Sequence, residues 1–572
     1  MTFVKRLLPL GFAALLAASA AAPTLTQGAP AAPQKGPTVM VAAAEPVAVD
    51  AGLKVLKAGG SAVDAAVAVQ AVLGLVEPQS SGLGGGSFMT YYDARTRQVT
   101  AYNGRETAPA GATPELFYGP DGRPLPKGQA IIGGRSAGVP GAIAMLHLAQ
   151  SQHGKLPWAD LFGDAEHLAA DGFAVPPRMA AAASSRAPQA SQPDAVAYFT
   201  KPDGTKVRAG DIMKNPAYAD TLRKIAAQGP KGLLEGPVAQ AIVDKLRQEP
   251  MPGTMTLKDL AGYKAKATPA VCRPYRVYVV CVPPAPSGGP AVLEGLGVLE
   301  RTDIGAHPND AQGWYLFSQA SRLMYADRDR YYGDPDFVDV PMEGLLAPDY
   351  LDARAKLINP TTAGPPPAPG NPRGAGVRGT DHTKEPGGTT HFVIVDKDGN
   401  VVSMTTTVES IFGDGRMVGG FFLNNQLTDF SFEPKDPDGA PAANAVAPGK
   451  RPRSSMSGAI VLDRQGRFVE AVGSPGGPSI IAFNLKALVG TLDWKLPMQQ
   501  AIALPNLIAA GNFYASEPAK YPPGVVDALA AKGVKLQGGA FGEGSGLQGI
   551  EATPSGLRGG ADPRREGVAK GY

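Results

Sequence analysis

Residues 385–407 read EPGGTTHFVIVDKDGNVVSMTTT, and they predict a β-hairpin that follows two glycines. HFVIVD and VVSMTTT have the apolar and β-branched composition of strands, and DKDGN between them is a turn signal. A glycine pair usually marks a turn or a linker. Here Gly387 and Gly388 lie directly before Thr389, the first residue of the predicted strand. The rest of the chain has to decide whether this junction has a function.

The composition indicates a folded protein with many turns and room for more than one domain. The chain has 572 residues, of which 72 are glycine and 55 are proline. The formal net charge is +3, with both signs interspersed. Nothing in this distribution points to nucleic acid or to an anionic membrane as a partner.

The N-terminus predicts export. Lys5 and Arg6 precede an apolar run and a series of small residues, which is the pattern of a secretory signal peptide over residues 1–20. We expect residues 21–37 to form a disordered leader. No later segment has the length and apolar character of a membrane span, so the mature protein is expected to be periplasmic or secreted.

Two blocks of different composition follow the leader. The first, 38–388, is rich in helical patterns, and Ser61 and Asp64 have nearly the spacing of a capping box before an apolar helix. It ends in 359–388, which has almost no large apolar residue and is predicted to be a flexible tether. The second block, 389–572, is rich in strands and turns.

The cysteines and histidines give little evidence of a special site. Cys272 and Cys281 are either a disulfide pair, as export would allow, or two small buried strand residues, and the sequence favours neither. The chain has no CxxC or HExxH motif, and its 6 histidines are scattered. We therefore predict no metal and no cofactor.

One candidate nucleophile is a serine. Ser136 matches the G-x-S-x-G pattern of serine esterases. A match of five residues is expected by chance in a glycine-rich chain, and the next helix is predicted to begin near Pro140 rather than at the serine. The serine esterase stays a minor alternative.

A threonine at the junction offers a different chemistry. A threonine hydroxyl needs a base, and its own α-amino group can serve once the preceding peptide bond is cut. A free α-amine has a pKa of about 8, so it accepts a proton near neutral pH. Glycine before the bond leaves the carbonyl open to attack. We therefore predict self-cleavage between Gly388 and Thr389.

From about residue 40 to the C-terminus, the chain resembles the γ-glutamyltransferases, which are N-terminal-nucleophile hydrolases. The resemblance rests on nine motifs in the order of the family, namely SGLGGGSFM, GRETAPA, GVPGAIAML, HGKLPWADL, ADRDRYYGDPDF, GGTTHFVIVDKDGNVVSMTTTVESIFGDG, LNNQLTDF, KRPRSSMS and GSPGG.

The resemblance implies the roles of four catalytic residues. Thr389 corresponds to the nucleophile that self-cleavage creates. Thr407 corresponds to the threonine whose hydroxyl contacts that nucleophile. Gly476 and Gly477 correspond to the pair whose backbone N–H groups form the oxyanion hole, where removal of one donor costs about 3–4 kcal/mol.

The resemblance also implies a clamp for the two charges of an amino acid. Arg105 would pair with the substrate α-carboxylate, supported by Ser454 and Ser455. Asp429 would take the α-ammonium, beside Gln426 and Glu409. Glu409 stands where many members have asparagine, and we expect it to add negative charge at the ammonium end of the pocket.

The implied fold is an α+β four-layer αββα sandwich, with two packed antiparallel sheets between helix layers. A large subunit (38–388) and a small subunit (389–572) would form one interwoven catalytic domain. Thr389 would take the γ-glutamyl group from glutathione or a related amide, and water or an amino-acid or peptide amine would resolve the ester. The alternatives on this fold are a glutaryl-type acylase, like the cephalosporin acylases, and a non-catalytic periplasmic protein that binds amino acids.

Overall fold

The predicted hairpin is present. Thr389–Val395 and Val401–Thr407 pair as antiparallel strands around a turn at residues 396–400. The computed structural model describes residues 36–383, 385, 387–539 and 544–572. The predicted signal peptide and most of the leader, residues 1–35, lie outside the described residues.

The strands of the described chain, numbered in order, are β1 (Met40–Ala43), β2 (Gly86–Asp93), β3 (Gln98–Gly104), β4 (Phe173–Ala174), β5 (Ile212–Met213), β6 (Lys266–Pro269), β7 (Val271–Tyr275), β8 (Tyr278–Val282), β9 (Thr389–Val395), β10 (Val401–Thr407), β11 (Met417–Val418), β12 (Phe421–Phe422), β13 (Ala459–Asp463), β14 (Phe468–Gly473), β15 (Leu507–Ala510), β16 (Phe513–Ser516), β17 (Gln537–Gly538), β18 (Gln548–Thr553), β19 (Gly556–Ala561) and β20 (Val568–Gly571).

The α-helices, numbered in the same way, are α1 (Pro46–Lys57), α2 (Ala62–Val76), α3 (Lys127–Ile131), α4 (Ala142–His153), α5 (Gly163–Asp171), α6 (Pro177–Ala183), α7 (Pro193–Tyr198), α8 (Pro216–Gln228), α9 (Lys231–Leu234), α10 (Gly236–Leu246), α11 (Leu257–Ala261), α12 (Gly289–Glu300), α13 (Ala311–Tyr331), α14 (Met342–Leu345), α15 (Pro348–Ala355), α16 (Ile480–Leu492), α17 (Met498–Ala503) and α18 (Val525–Ala531). Helix α2 has the predicted capping box, in which Ser61 and Asp64 each accept a hydrogen bond from the backbone N–H of the other. None of the helices in the described part of the chain combines the length and the apolar character needed to cross a bilayer.

Two large antiparallel sheets organise the fold. The first has the order β20-β1-β9-β10-β2-β3-β6, and the second has the order β19-β18-β14-β13-β8-β7. Strands from both sides of the bond between Gly388 and Thr389 therefore lie side by side in each sheet. This pairing places the hairpin in the interior of the first sheet, where β9 forms backbone hydrogen bonds with β1 and β10 forms them with β2.

The two faces of β9 pack into different cores, because successive strand residues point to opposite sides. Phe392 and Ile394 belong to a buried cluster that includes much of α1 and α2. Val393 and Val395 belong to a second cluster that contains Ile460 and other residues of the second sheet. The hairpin is thus buried on both faces, and its register is firmly specified.

A third cluster covers the remaining face of the second sheet. It joins Val280 of β8 and Val461 of β13 to buried residues of α12, α13 and α16. The described chain is therefore a mixed α/β protein with antiparallel sheets, in which apolar clusters link each sheet to helices and the two sheets to each other.

The segment 359–388 contains no helix and no extended strand in its described residues. Side chains of α13 hold part of it. Arg322 donates a hydrogen bond to Gly364 O (2.9 Å), and Tyr331 donates one to Gly370 O (2.6 Å). The flexibility of this tether stays a prediction.

The structure decides between the two interpretations of the cysteines. Cys272 and Cys281 are directly opposite each other in the β7–β8 hairpin and form a disulfide.

We expect the double substitution Cys272→Ser with Cys281→Ser to lower the free energy of unfolding by about 2–3 kcal/mol, because it releases a short closed loop in the unfolded chain. The thermal unfolding midpoint measures the effect. The wild-type protein under reducing conditions should unfold at the same lower temperature, and an unchanged midpoint in the double variant would contradict the prediction.

Candidate active site

Two threonine hydroxyls meet at the open end of the hairpin. Thr389 begins β9, Thr407 ends β10, and the strand register pairs them. The Thr389 hydroxyl donates a hydrogen bond to Thr407 Oγ1 over 3.1 Å. Both residues are buried. The hairpin therefore positions the predicted nucleophile against a second hydroxyl.

The carbonyl group of Gly388 lies against the same hydroxyl pair. Thr407 Oγ1 donates to Gly388 O over 2.7 Å and accepts from the backbone N–H of Glu409, also at 2.7 Å. A donor on the carbonyl oxygen makes the carbonyl carbon more electrophilic. A Cβ at Gly388 would lie 2.7 Å from Glu409 O and 2.8 Å from Ser410 Cα, so only glycine fits here without a shift of the backbone.

A cavity with about 250 Å³ of empty space opens beside the two threonines. Its lining brings together all the predicted catalytic and substrate-binding residues except Gly476, which precedes the lining residue Gly477. The lining residues are Arg105, Glu385, Thr389, Thr407, Glu409, Gln426, Asp429, Ser454, Ser455, Met456, Gly477 and Ile480.

The two predicted charge-binding residues form an ion pair in the cavity wall. Arg105 Nη2 lies 2.6 Å from Asp429 Oδ2, and Gln426 donates to the same oxygen over 2.8 Å. The Arg105 guanidinium also donates to the backbone carbonyls of Pro452 (3.1 Å) and Arg453 (2.7 Å). Arg105 follows β3 directly and Asp429 ends the short 3₁₀ helix Gln426–Asp429, so both are fixed by regular structure.

Glu409 is a buried acid whose charge is disfavoured. Burial raises the pKa of its carboxyl well above the ordinary value, the negative charge of Asp429 raises it further, and Lys127 opposes the shift. The side-chain amide of Asn425 donates a hydrogen bond to this carboxyl. Its backbone φ of +83° is in the left-handed region, where non-glycine residues are uncommon. The pKa shift works against the negative charge that we expected Glu409 to add.

The Ser455 hydroxyl binds the carboxylate of Glu385, a residue that was not among the predicted site residues. The hydroxyl donates to Glu385 Oε2 over 2.7 Å, and Arg328 Nη2 donates to both oxygens of Glu385, at 2.7 and 2.9 Å. Arg453 Nη2 donates to Glu385 Oε1 over 3.1 Å. A signal was present for two of these residues, because Arg453 adjoins Ser454 and Glu385 opens the stretch before Thr389.

Ser454 and the glycine pair lie on the remaining walls. The Ser454 hydroxyl accepts from the backbone N–H of Met456 over 3.1 Å. Gly476 and Gly477 have φ values of +135° and +56°, which L side chains rarely adopt. They lead into the 3₁₀ helix Gly477–Ser479 and then α16. The first N–H groups of a helix have no partner within it, so this turn is suited to an acyl oxygen.

The alternative nucleophile, Ser136, has a structural role. It is buried, and its hydroxyl contacts the carbonyl oxygens of Ile131 (2.7 Å) and Gly133 (2.8 Å). It lies in a 3₁₀ turn, and α4 begins six residues later at Ala142. The strand-to-helix elbow of a serine esterase is therefore not formed here.

Comparison with known sequences gives one family. The family model described as gamma-glutamyltranspeptidase matches residues 48–572. A glutathione hydrolase proenzyme of Bacillus subtilis is 36% identical over 481 residues, which cover 82% of this chain and 80% of that protein. A glutathione hydrolase proenzyme of Escherichia coli is 35% identical over 548 residues, which cover 93% of this chain and 92% of that protein.

Comparison with solved structures finds a similar fold. The crystal structure of cephalosporin acylase from Bacillus halodurans has a TM-score of 0.81 and 27% sequence identity, and the match covers 96% of this chain and 99% of that one.

The raised pKa of Glu409 predicts a pH-dependent stability effect for Glu409→Gln. In the unfolded chain a glutamate ionises near its ordinary pKa, whereas in the fold Glu409 keeps its proton to higher pH. The wild type therefore loses stability as pH rises from about 5, by up to about 1.4 kcal/mol per pH unit, until the folded pKa is reached. Thermal unfolding between about pH 5 and 8 should show an advantage of the variant that grows with pH.

Glu433→Gln is the matched control, because Glu433 is exposed. We expect its difference from the wild type to be small at every pH. A Glu409→Gln difference that is constant with pH, or that shrinks as pH rises, would refute the assignment.

Proposed function

The chain belongs to the gamma-glutamyltranspeptidase family, and from this premise we propose that it is a self-cleaving γ-glutamyltransferase and glutathione hydrolase with Thr389 as its nucleophile. The family membership makes it an enzyme rather than a non-catalytic amino-acid-binding protein. The observation that carries the assignment of the nucleophile is the contact of Thr389, Thr407 and the Gly388 carbonyl at the edge of the cavity.

Self-cleavage begins with attack of Thr389 Oγ1 on the carbonyl carbon of Gly388. The C–N bond breaks, an ester to the threonine oxygen forms, and the proton of the hydroxyl moves to the released nitrogen. Water then hydrolyses the ester, which leaves a carboxylate on Gly388 and restores the hydroxyl. The hydrogen bond from Thr407 to Gly388 O supports this step, since it stabilises negative charge on that oxygen.

The new α-amine of Thr389 is the base for turnover. With a pKa of about 8 it accepts the hydroxyl proton as Thr389 Oγ1 attacks the γ-carbonyl of the donor. The N–H groups of Gly476 and Gly477 stabilise the oxyanion, and the amine leaving group takes the proton. Water or an amino-acid or peptide amine then resolves the γ-glutamyl ester.

The clamp for the donor consists of the cavity's charged and hydroxyl side chains. We assign the α-carboxylate to Arg105 with Ser454 and Ser455, and the α-ammonium to Asp429 with Gln426. The ion pair between Arg105 and Asp429 supports this assignment, because a zwitterion presents the complementary charges side by side.

Glu409 adjoins the ammonium end of this clamp and belongs to the same site. A bound ammonium would favour its ionised form, since an opposite charge nearby lowers the pKa of a carboxyl. Donor binding would therefore oppose the shift that burial and Asp429 cause in the empty site.

The large subunit (38–388) and the small subunit (389–572) would form one interwoven catalytic domain. Strands from both sides of the junction lie side by side in each sheet, which supports this proposal. The three apolar clusters support a four-layer αββα sandwich, since they link helices, sheet, sheet and helices in that order. We further propose that the signal peptide directs the protein to the periplasm or the medium.

A glutaryl-type acylase is the second candidate, because the similar cephalosporin acylase structure covers nearly the whole chain. A glutaryl group has no α-ammonium. Asp429 would then have no substrate charge to pair with, and its role is the point at which the two functions differ.

Self-cleavage predicts two subunits, the smaller of which begins with Thr389. Thr389→Ala removes the attacking oxygen, so we expect a single uncut chain and loss of γ-glutamyl anilide hydrolysis by at least about 10³-fold. A denaturing gel and N-terminal sequencing of the smaller band check both points.

Thr390→Val is the matched control. Thr390 is the next residue and is also buried, and valine keeps its shape. We expect normal cleavage and activity in this variant. Cleavage at a different bond, or full activity in an uncut Thr389→Ala chain, would refute the mechanism.

The ammonium clamp predicts donor preference. The wild type should hydrolyse γ-glutamyl-p-nitroanilide far better than glutaryl-p-nitroanilide. Asp429→Asn should reduce kcat/KM for the γ-glutamyl donor by about 10- to 100-fold more than for the glutaryl donor, since a charge-assisted hydrogen bond is lost for the first donor alone.

Asp438→Asn at an exposed position is the control and should change neither donor. Equal or better hydrolysis of the glutaryl anilide by the wild type would favour the acylase.

A further inference from the structure

The cavity already contains a carboxylate from the chain itself. The Glu385 side chain is 4% exposed, and its oxygens accept hydrogen bonds from Arg328, Arg453 and Ser455. Burial alone would raise the pKa of this carboxyl, but the charges of Arg328 and Arg453 and the Ser455 hydroxyl lower it to about 2. Glu385 is therefore an ionised ligand that fills part of the cavity.

Glu385 lies on the far side of the proposed cleavage site. It is four residues before Thr389, at the end of the tether 359–388. In the uncut chain the bond between Gly388 and Thr389 ties this carboxylate to the cavity. After cleavage the new terminus at Gly388 frees the end of the tether, and Glu385 loses that restraint.

We propose that Arg328, Arg453 and Ser455 form a carboxylate-binding subsite, which Glu385 fills before cleavage and a substrate carboxylate fills afterwards. This inference rests on the proposed self-cleavage at Thr389. It adds two arginines to the predicted clamp, where Arg105 was the sole cation assigned to a substrate carboxylate.

The charges around the subsite support its preference for an anion. Asp329 lies 3.0 Å from Arg328 and 3.6 Å from Arg453, and Asp381 lies 3.2 Å from Arg453. Asp381, like Glu385, belongs to the tether. Departure of the tether would remove the carboxylates of Glu385 and Asp381, and the two buried guanidinium groups would then share the single carboxylate of Asp329. One buried positive charge would have no counter-charge, which is costly. A substrate carboxylate restores the balance, with the planar geometry that arginine binds well.

Before cleavage the same contacts give Glu385 a positioning role. They fix the chain three residues ahead of Gly388, whose carbonyl must stay on Thr407 for attack. Self-cleavage should therefore depend on the charge of Glu385, although this residue never touches the reacting atoms.

The first experiment follows self-cleavage of the purified precursor on a denaturing gel. We expect Glu385→Gln and Glu385→Ala to slow the appearance of the small subunit by about tenfold or more, since several charge-assisted hydrogen bonds are weakened or lost. Glu343→Gln, at an exposed glutamate, should cleave at the wild-type rate.

Chemical rescue separates a specific subsite from a general structural effect. Acetate has the size and charge of the part that Glu385→Ala removes, so sodium acetate should accelerate cleavage of this variant. Sodium chloride at the same ionic strength, or acetamide, should not. Wild-type cleavage rates in both Glu385 variants, or equal rates in acetate and chloride for Glu385→Ala, would overturn the proposal.

The second experiment identifies which substrate carboxylate enters the subsite of the cleaved enzyme. γ-Glutamyl-p-nitroanilide has the α-carboxylate alone, whereas glutathione has a second carboxylate in its leaving group. In Arg453→Leu that has been fully cleaved and separated from uncut chain, we expect KM to rise about tenfold with kcat within about twofold. A rise for both donors assigns the subsite to the α-carboxylate, and a rise for glutathione alone assigns it to the leaving group.

Arg453→Lys keeps the charge and should recover part of the loss, which also provides a folded variant if Arg453→Leu is not produced. The substrate-binding half of the proposal would be overturned if KM were unchanged for both donors in Arg453→Leu. If Arg453→Leu is not produced, the same result in Arg453→Lys would overturn it. If the cleaved wild type turned over neither donor, the proposed function would fail, whereas the acetate rescue would still decide whether the anion subsite exists.

Discussion

The pairing of Thr389 with Thr407 is the constraint on which the site depends. Side chains alternate along a strand, so a slip by one residue would turn Thr389 to the opposite face of the sheet and away from the cavity. The register is held by burial on both faces, with Phe392 on one side and Val393 on the other. The position of the reactive hydroxyl is therefore set by hydrophobic packing several residues away from it.

The local parts of this arrangement could be predicted from the sequence, because their signals lie within a few residues. The turn and β-branched segments around residues 396–400 specify the hairpin, and the hydroxyl–carboxylate spacing of Ser61 and Asp64 specifies the start of α2. The structure also explains why residue 388 is a glycine, because its backbone packs against Ser410 and leaves no room for a Cβ. The resemblance to a family supplied the clamp residues, which no local pattern would have identified.

The remaining features depend on contacts between distant segments and on burial. Arg328, Glu385 and Arg453 come from a helix, the tether and a loop, and the sequence does not show that they meet, although Arg453 and Glu385 lie next to predicted site segments. The protonation of Glu409 in the empty site could not be predicted for the same reason: its formal charge is visible in the sequence, but the burial and the neighbouring Asp429 that raise its pKa are not. The cysteine pair was undecided until the strand register placed the two residues opposite each other.

In the proposed mechanism, cleavage at one bond changes two properties of the site together. It would create the α-amine that accepts the proton of Thr389, and it would release the chain segment that carries Glu385. An uncut chain would lack the base and would also have the Glu385 carboxylate in its cavity, so two barriers would oppose turnover before processing. The contacts that keep Glu385 in place require the carboxylate geometry that a substrate also offers. A single pocket can therefore hold the precursor ready for its own cleavage and later hold the donor, because both tasks need a buried carboxylate near the same threonine pair.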